Sequence, residues 1–175
     1  MTMPYIDYLR GVVFCDDLRD NFGDELPFQF EMSILVYLLF NDMLTQIKKG
    51  GAKNEQIANY LVAGKQKHYP TQIQEKRVLK PLTQHVFQFE TVEEEIVVSK
   101  PSQNDKKAYL DIRMKETEVL RGEILLNDLE SFLDGIELSI EEVIAIVYLD
   151  FIETIKKEGN STKVQKSILA HLKRF

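Results

Sequence analysis

The sequence predicts an α+β fold: two long core helices packed on a small antiparallel sheet, with an amphipathic C-terminal helix. Residues 31–49 and 139–158 carry apolar side chains at i, i+3, i+4 spacing throughout, the mark of helices with a buried face. Between residues 86 and 125 the apolar period falls toward two, in short runs broken by turn residues, as strands require. Residues 161–175 gather Val164, Ile168, Leu169, Leu172 and Phe175 near one face, with Ser161 as a cap and most lysines elsewhere.

A chain of 175 residues fits a single domain, 1–175, with a lobe boundary available in the loop 99–107 (SKPSQNDKK). Hydrophobic content of 44% and charged content of 29% are those of a globular protein with a sizeable core. One cysteine cannot form an internal disulfide, which suits a reducing compartment. The start, MTMPYIDYLRG, lacks the basic-then-apolar order of a secretory leader. The longest unbroken apolar run, 34–40, is far short of the roughly 20 residues of a spanning helix. These features predict a cytoplasmic protein with no membrane span.

In chain order, residues 4–27 mix an apolar patch, Val12 to Cys15, with acids and turn residues, and read as a short helix or strand followed by a loop. The acids Asp16, Asp17, Asp20, Asp24 and Glu25 invite a calcium-loop reading, but counting back from Gly23 puts Leu18 and Phe22 at ligand positions. A solvated acidic loop is the better account. Cys15 has no nearby histidine and reads as buried and inert.

Helix 31–49 closes on Lys48, Lys49 and the Gly50-Gly51 pair. Asn54 is placed to cap a shorter helix, 55–62, ending near Gly64, and Thr71 to cap another, to about Leu79, stopped by Pro81. Residues 86–89 and 96–98 read as strands around the acidic turn Glu93-Glu94-Glu95, and residues 109–114 and 119–125 as two more. A short helix, 128–133, ends at Asp134-Gly135. Helix 139–158 opens with the capping box Ser139/Glu142, places acids first and Lys156 and Lys157 last, and stops at Gly159.

No phosphate loop, dinucleotide fingerprint, H-E-x-x-H, C-x-x-C or G-x-S-x-G occurs, and His68, His85 and His171 stand far apart in the sequence. No catalytic residue, metal or cofactor is predicted on this basis, and an enzyme with a dispersed site is the least supported of three readings. The leading one rests on helix 139–158. Its main stripe is Ile140, Val143, Ile144, Val147, Phe151 and Ile155, yet Ile146 and Leu149 interrupt the opposite, charged side. Such a helix is either wrapped on all sides by its own chain or offers Ile146 and Leu149 to a partner. A non-enzymatic, regulatory or adaptor-like protein working through protein contacts follows, with a homodimer as one form.

The alternative rests on charge. Residues 1–47 hold two basic and eight acidic side chains, net −6; residues 48–85 hold eight and two, net +6; residues 86–175 hold twelve and eighteen, net −6. The predicted order, helix 31–49, helix 55–62, helix 71–79, then two strands across 86–98, resembles a winged helix-turn-helix, and the basic segment 53–85 coincides with it. That arrangement would make 71–79 a recognition helix, with Gln72, Lys76 and Arg77 toward a DNA groove and Lys65, Lys67 and Lys80 among the phosphate contacts.

Overall fold

The computed structural model describes residues 1–26, 29–83, 86–97 and 106–173, with 71–83 and 86–97 described by their backbone. In order these form β1 (Thr2–Pro4), α1 (Tyr5–Phe22), α2 (Met32–Lys48), α3 (Asn54–His68), β2 (Thr71–Thr83), β3 (Val86–Val97), β4 (Lys107–Tyr109), α4 (Glu116–Leu129), α5 (Ile140–Glu158) and α6 (Thr162–Leu172). The chain is mostly helical, and α+β in the broad sense that two antiparallel pairs of strands accompany the helices.

The helix at the centre is α5, which packs against α1, α2, α3, α4 and β1. Its predicted start forms as expected: the Ser139 amide donates to Glu142 Oε2 at 2.9 Å, and the Glu142 amide to Ser139 Oγ at 3.2 Å. Gly159 ends it at φ +71°, in the region glycine favours. Val143, Ile144, Ala145, Ile146, Tyr148, Leu149 and Ile152 are all buried, which accounts for the apolar residues around most of its circumference. Helix α6 also forms from its Ser161 cap and docks Val164, Ile168, Leu169 and Leu172 inward.

Several expectations are corrected. The core is helix on helix rather than two helices on a sheet. The strands make two separate two-stranded pieces, β1–β4 and the hairpin β2–β3. Segment 4–27 contains a third long helix, α1, of 18 residues. Residues 71–79 are not a helix but part of β2, which pairs with β3 from Thr71↔Val97 to Thr83↔Val86. Pro81 sits beside a register irregularity in this strand, where a residue without an amide hydrogen is tolerated. The acids Glu93, Glu94 and Glu95 lie within β3 rather than in a turn.

Residues 119–125 are helical too. They lie in α4, which buries Glu118, Gly122, Leu125 and Leu129 at helical spacing. The helix expected at 128–133 is only a single 3-10 turn, Glu130–Phe132, after α4. Helix α3 has Lys53 rather than Asn54 at its N-cap, and runs four residues past Gly64 to His68. Gly64 does not end it; it allows close approach to α5. A Cβ there would lie 2.3 Å from Ile146 Cγ2. Most of the loop 99–107 lies outside the described residues, and its last residue, Lys107, begins β4.

Candidate contact surface

The two residues expected to face a partner face the interior. Ile146 is 0% exposed and Leu149 4%. The physical reason is Gly64: with no side chain in the way, α3 comes close enough to lie on Ile146. The second apolar side of α5 is therefore covered by the chain itself and is not an open contact surface.

The same helix pair disposes of much of the basic excess. Lys65 Nζ reaches Glu142 Oε1 at 3.2 Å and the backbone carbonyl of Glu137. Lys67 Nζ lies 2.6 Å from Glu153 and 3.2 Å from Asp150, and His68 Nε2 lies 3.1 Å from the same Asp150 oxygen. The Tyr60 phenol lies within electrostatic reach of Asp150. Burial raises the Asp150 carboxyl, but the neighbouring His68, Tyr60 and Lys67 outweigh it and hold the group below the usual carboxylate range. The Lys67 ammonium holds Glu153 low in the same way. Burial, then the neighbouring Asp150, pushes the Tyr60 phenol well above its ordinary range. Basic α3 is thus laced to acidic α5.

The remaining nucleic-acid candidates lie on β2. Backbone register sets Gln72 opposite Ile96, Lys76 opposite Val92, Arg77 opposite Thr91 and Lys80 opposite Gln88. Without a helix at 71–79 there is no recognition helix to enter a groove, and the winged-helix reading loses its central element.

Among the described residues, a run of exposed apolar side chains lies on α1, which the local pattern does not reveal. This helix buries Asp7, Gly11, Phe14, Cys15 and Leu18. Asp7 is tolerated inside because Arg10 Nη1 and Lys156 Nζ reach its carboxylate at 2.8 and 2.9 Å. Gly11 is required because a Cβ would lie 2.4 Å from both Met32 Sδ and Tyr148 Oη. Tyr148 is wholly buried and donates its hydroxyl proton to the Asp7 carbonyl at 2.7 Å.

With acid and glycine turned inward, the outward side carries Tyr5, Ile6, Leu9 and Val13, exposed by 41, 48, 37 and 56%. Ile6, Leu9 and Val13 follow i, i+3, i+7 spacing, so they form one stripe. Beside it, Ile155, Lys156 and Asn160 complete a groove of about 310 Å³ between α1 and the end of α5. A smaller patch on α4, Leu120 and Ile124, is exposed by 48 and 62%.

A larger groove of about 810 Å³ lies between α4, the start of α5 and the segment after β4, with Leu110, Ile112, Val119 and Ile140 among its walls. Among the described residues, no group of three or more His, Cys, Asp or Glu is placed to hold a metal ion. No described helix is long and apolar enough to cross a membrane. Comparison of the chain with protein-family models, curated proteins and solved structures found no match.

Proposed function

We propose that this chain is a non-enzymatic, adaptor- or regulator-like protein that works through protein–protein contacts, and that its contact surface is the outer stripe of α1. The observation that carries this reading is the mixed packing of α1: its buried side holds Asp7 and Gly11 beside Phe14, Cys15 and Leu18, while Ile6, Leu9 and Val13 are exposed. Scattered apolar residues on a surface need no explanation, but a contiguous helical stripe beside a groove marks an interaction site. Charged Arg10 and Lys156 at its edge give the polar rim such sites have.

The most concentrated group of ionisable side chains, Tyr60, Lys67, His68, Asp150 and Glu153, supports a structural role rather than a catalytic one. Its members are engaged with one another across the α3–α5 junction.

The reading is tested by placing a photo-crosslinking phenylalanine at Val13, and separately at exposed Lys163 on α6, in the protein's own cells. A light-dependent protein adduct at Val13 that is absent at Lys163 is expected. No adduct at Val13 above that control would refute it.

A further inference from the structure

We propose that the groove of about 810 Å³ between α4, the start of α5 and the segment after β4 receives an extended, basic peptide segment of a partner protein, which pairs as a strand with residues 111–114. The backbone supplies the first reason. Strand β4 stays paired as far as Leu110, whose amide donates to the Met1 carbonyl at 3.0 Å and whose carbonyl accepts from the Met1 nitrogen at 2.9 Å. The chain then runs on extended. Asp111, Arg113 and Lys115 are exposed while Ile112 and Met114 are partly buried, the alternation of a strand, and Lys115 has φ −70° and ψ 135°. Among the described residues, no backbone group of 111–114 has a hydrogen-bond partner. A row of free amides and carbonyls in extended backbone is a template for a further strand.

The walls set the chemistry of that strand. Ile112 and Met114 line the groove from the extended segment, Val119 and Leu126 from α4, and Ile140 and Ile144 from α5. Asp111, Glu123 and Glu141 line it too; all three are exposed, and none makes an ion pair or hydrogen bond among the described residues. Other acids of α5 differ in this respect, since Glu142, Asp150 and Glu153 are each met by a lysine of α3. Arg113 and Lys115 are not among the walls. The lining cation is the Met1 ammonium, already engaged by the Leu110 carbonyl. The first turn of α5 adds partial positive charge, which Glu142 offsets in the capping box. Three uncompensated carboxylates beside an apolar floor therefore select a cationic peptide over an anionic one.

In an added strand, alternate residues face the groove. Apolar residues in that set cover the floor, and lysine or arginine in it can lay an apolar stem on the same walls while the charged end reaches a carboxylate. Residues 111–114 span only about 13 Å of strand, so the paired stretch is short and binding should be reversible and salt-dependent. The groove shares no residue with the outer stripe of α1, so either surface can fail its test without the other.

The test uses the full chain and a fluorescein-labelled, end-blocked peptide of seven residues, with lysine, valine and lysine at even positions and threonine at odd ones. Fluorescence anisotropy should show saturable binding that weakens as salt rises. Replacing both lysines by glutamate should weaken it by about tenfold or more. Asp111→Asn/Glu123→Gln/Glu141→Gln should cost about tenfold as well. Asp20→Asn/Asp24→Asn/Glu55→Gln, which removes the same charge from exposed sites elsewhere, should bind like wild type. Hydrogen exchange at the amides of 111–114 should slow by about tenfold at saturation, because a paired amide must open before it exchanges. Methylating the peptide's backbone nitrogens at even or at odd positions removes the donors of one edge, so one of these two peptides should bind more weakly than the parent.

No saturable binding of the lysine peptide, or equal binding of the glutamate peptide, would overturn the proposal. Equal losses in the two triple variants would mean general charge attraction and overturn it too. Binding that leaves exchange at 111–114 unchanged, or that neither methylated peptide weakens, would overturn the strand pairing.

Discussion

Gly64→Ala offers the sharpest test of how α3 sits on α5. A single methyl added at Gly64 falls 2.3 Å from Ile146 Cγ2 and 3.4 Å from Ile146 Cβ. Ile146 is β-branched and wholly buried, so it cannot turn aside freely. Overpacking of this kind costs about 1–3 kcal/mol. Against it stands the preference of a helix interior for alanine over glycine, about 0.5–1 kcal/mol.

The net expectation is a loss of about 1–2 kcal/mol, a fall in the urea midpoint of about 0.5–1 M for a domain with a slope near 2 kcal/mol/M. Ile146→Ala alone should cost about 2–5 kcal/mol through the cavity it leaves. In that background the methyl at position 64 has space, and Gly64→Ala should turn from destabilising to neutral or stabilising. The cycle would then show coupling of about 1–3 kcal/mol, as touching residues do. Urea unfolding followed by circular dichroism measures all four proteins. A Gly64→Ala that stabilises the wild type by its full propensity gain, or effects that simply add, would refute the close contact.

Tyr148→Phe should cost about 1 kcal/mol, because it removes the buried bond to the Asp7 carbonyl while keeping the ring in place; thermal unfolding would read the loss. The α3–α5 lacing should weaken in acid. Asp150 and Glu153 are held below the usual carboxylate range, so their contribution is present above the unfolded value near pH 4 and is lost as pH falls through the folded one. Comparing urea midpoints at pH 7 and pH 3 should therefore show a smaller acid loss for Asp150→Asn than for wild type. Cys15 is 2% exposed, and burial pushes its thiol up to about 12. It should resist a thiol-specific chromogenic reagent in native buffer and react only in denaturant; prompt native labelling would contradict its placement.

What was legible beforehand follows from where each element keeps its information. Helices α2, α5 and α6 bury apolar residues, and α5 and α6 also announce themselves with serine caps, so local pattern and fold agree. Helices α1 and α4 are mixed: they bury Phe14, Cys15 and Leu18, and Leu125 and Leu129, but not all of their apolar residues. Their inward stripes contain Asp7 with Gly11, and Glu118 with Gly122, while Ile6, Leu9, Val13, Leu120 and Ile124 point outward. A method that looks for an apolar face finds a blurred one in α1 and mistakes α4 for alternating strand.

The inward polar groups have tertiary explanations that the local sequence does not display. Arg10 and Lys156 reach Asp7; burial first, then the neighbouring Glu118, pushes the Tyr37 phenol up to about 12. Gly122 admits the Phe40 ring and Ile140. Strand β2 was hidden for a related reason. Its ladder partner is β3, and nothing local reveals a pairing such as Thr71↔Val97. Helix α3 ran longer than expected because Gly64 serves a helix crossing, not a stop. The contact candidate lies on α1 rather than α5 on the same logic: Ile146 of α5 is matched by glycine on a neighbouring helix, whereas Ile6, Leu9 and Val13 of α1 stay exposed among the described residues.

Urea unfolding of Val13→Glu beside Ile146→Glu tests this inside–outside assignment most directly. A carboxylate at Val13 should leave stability within about 0.5 kcal/mol of wild type, as an exposed site allows, whereas the same group at Ile146 should abolish cooperative folding. A stable Ile146→Glu, or a Val13→Glu that fails to fold, would contradict the account.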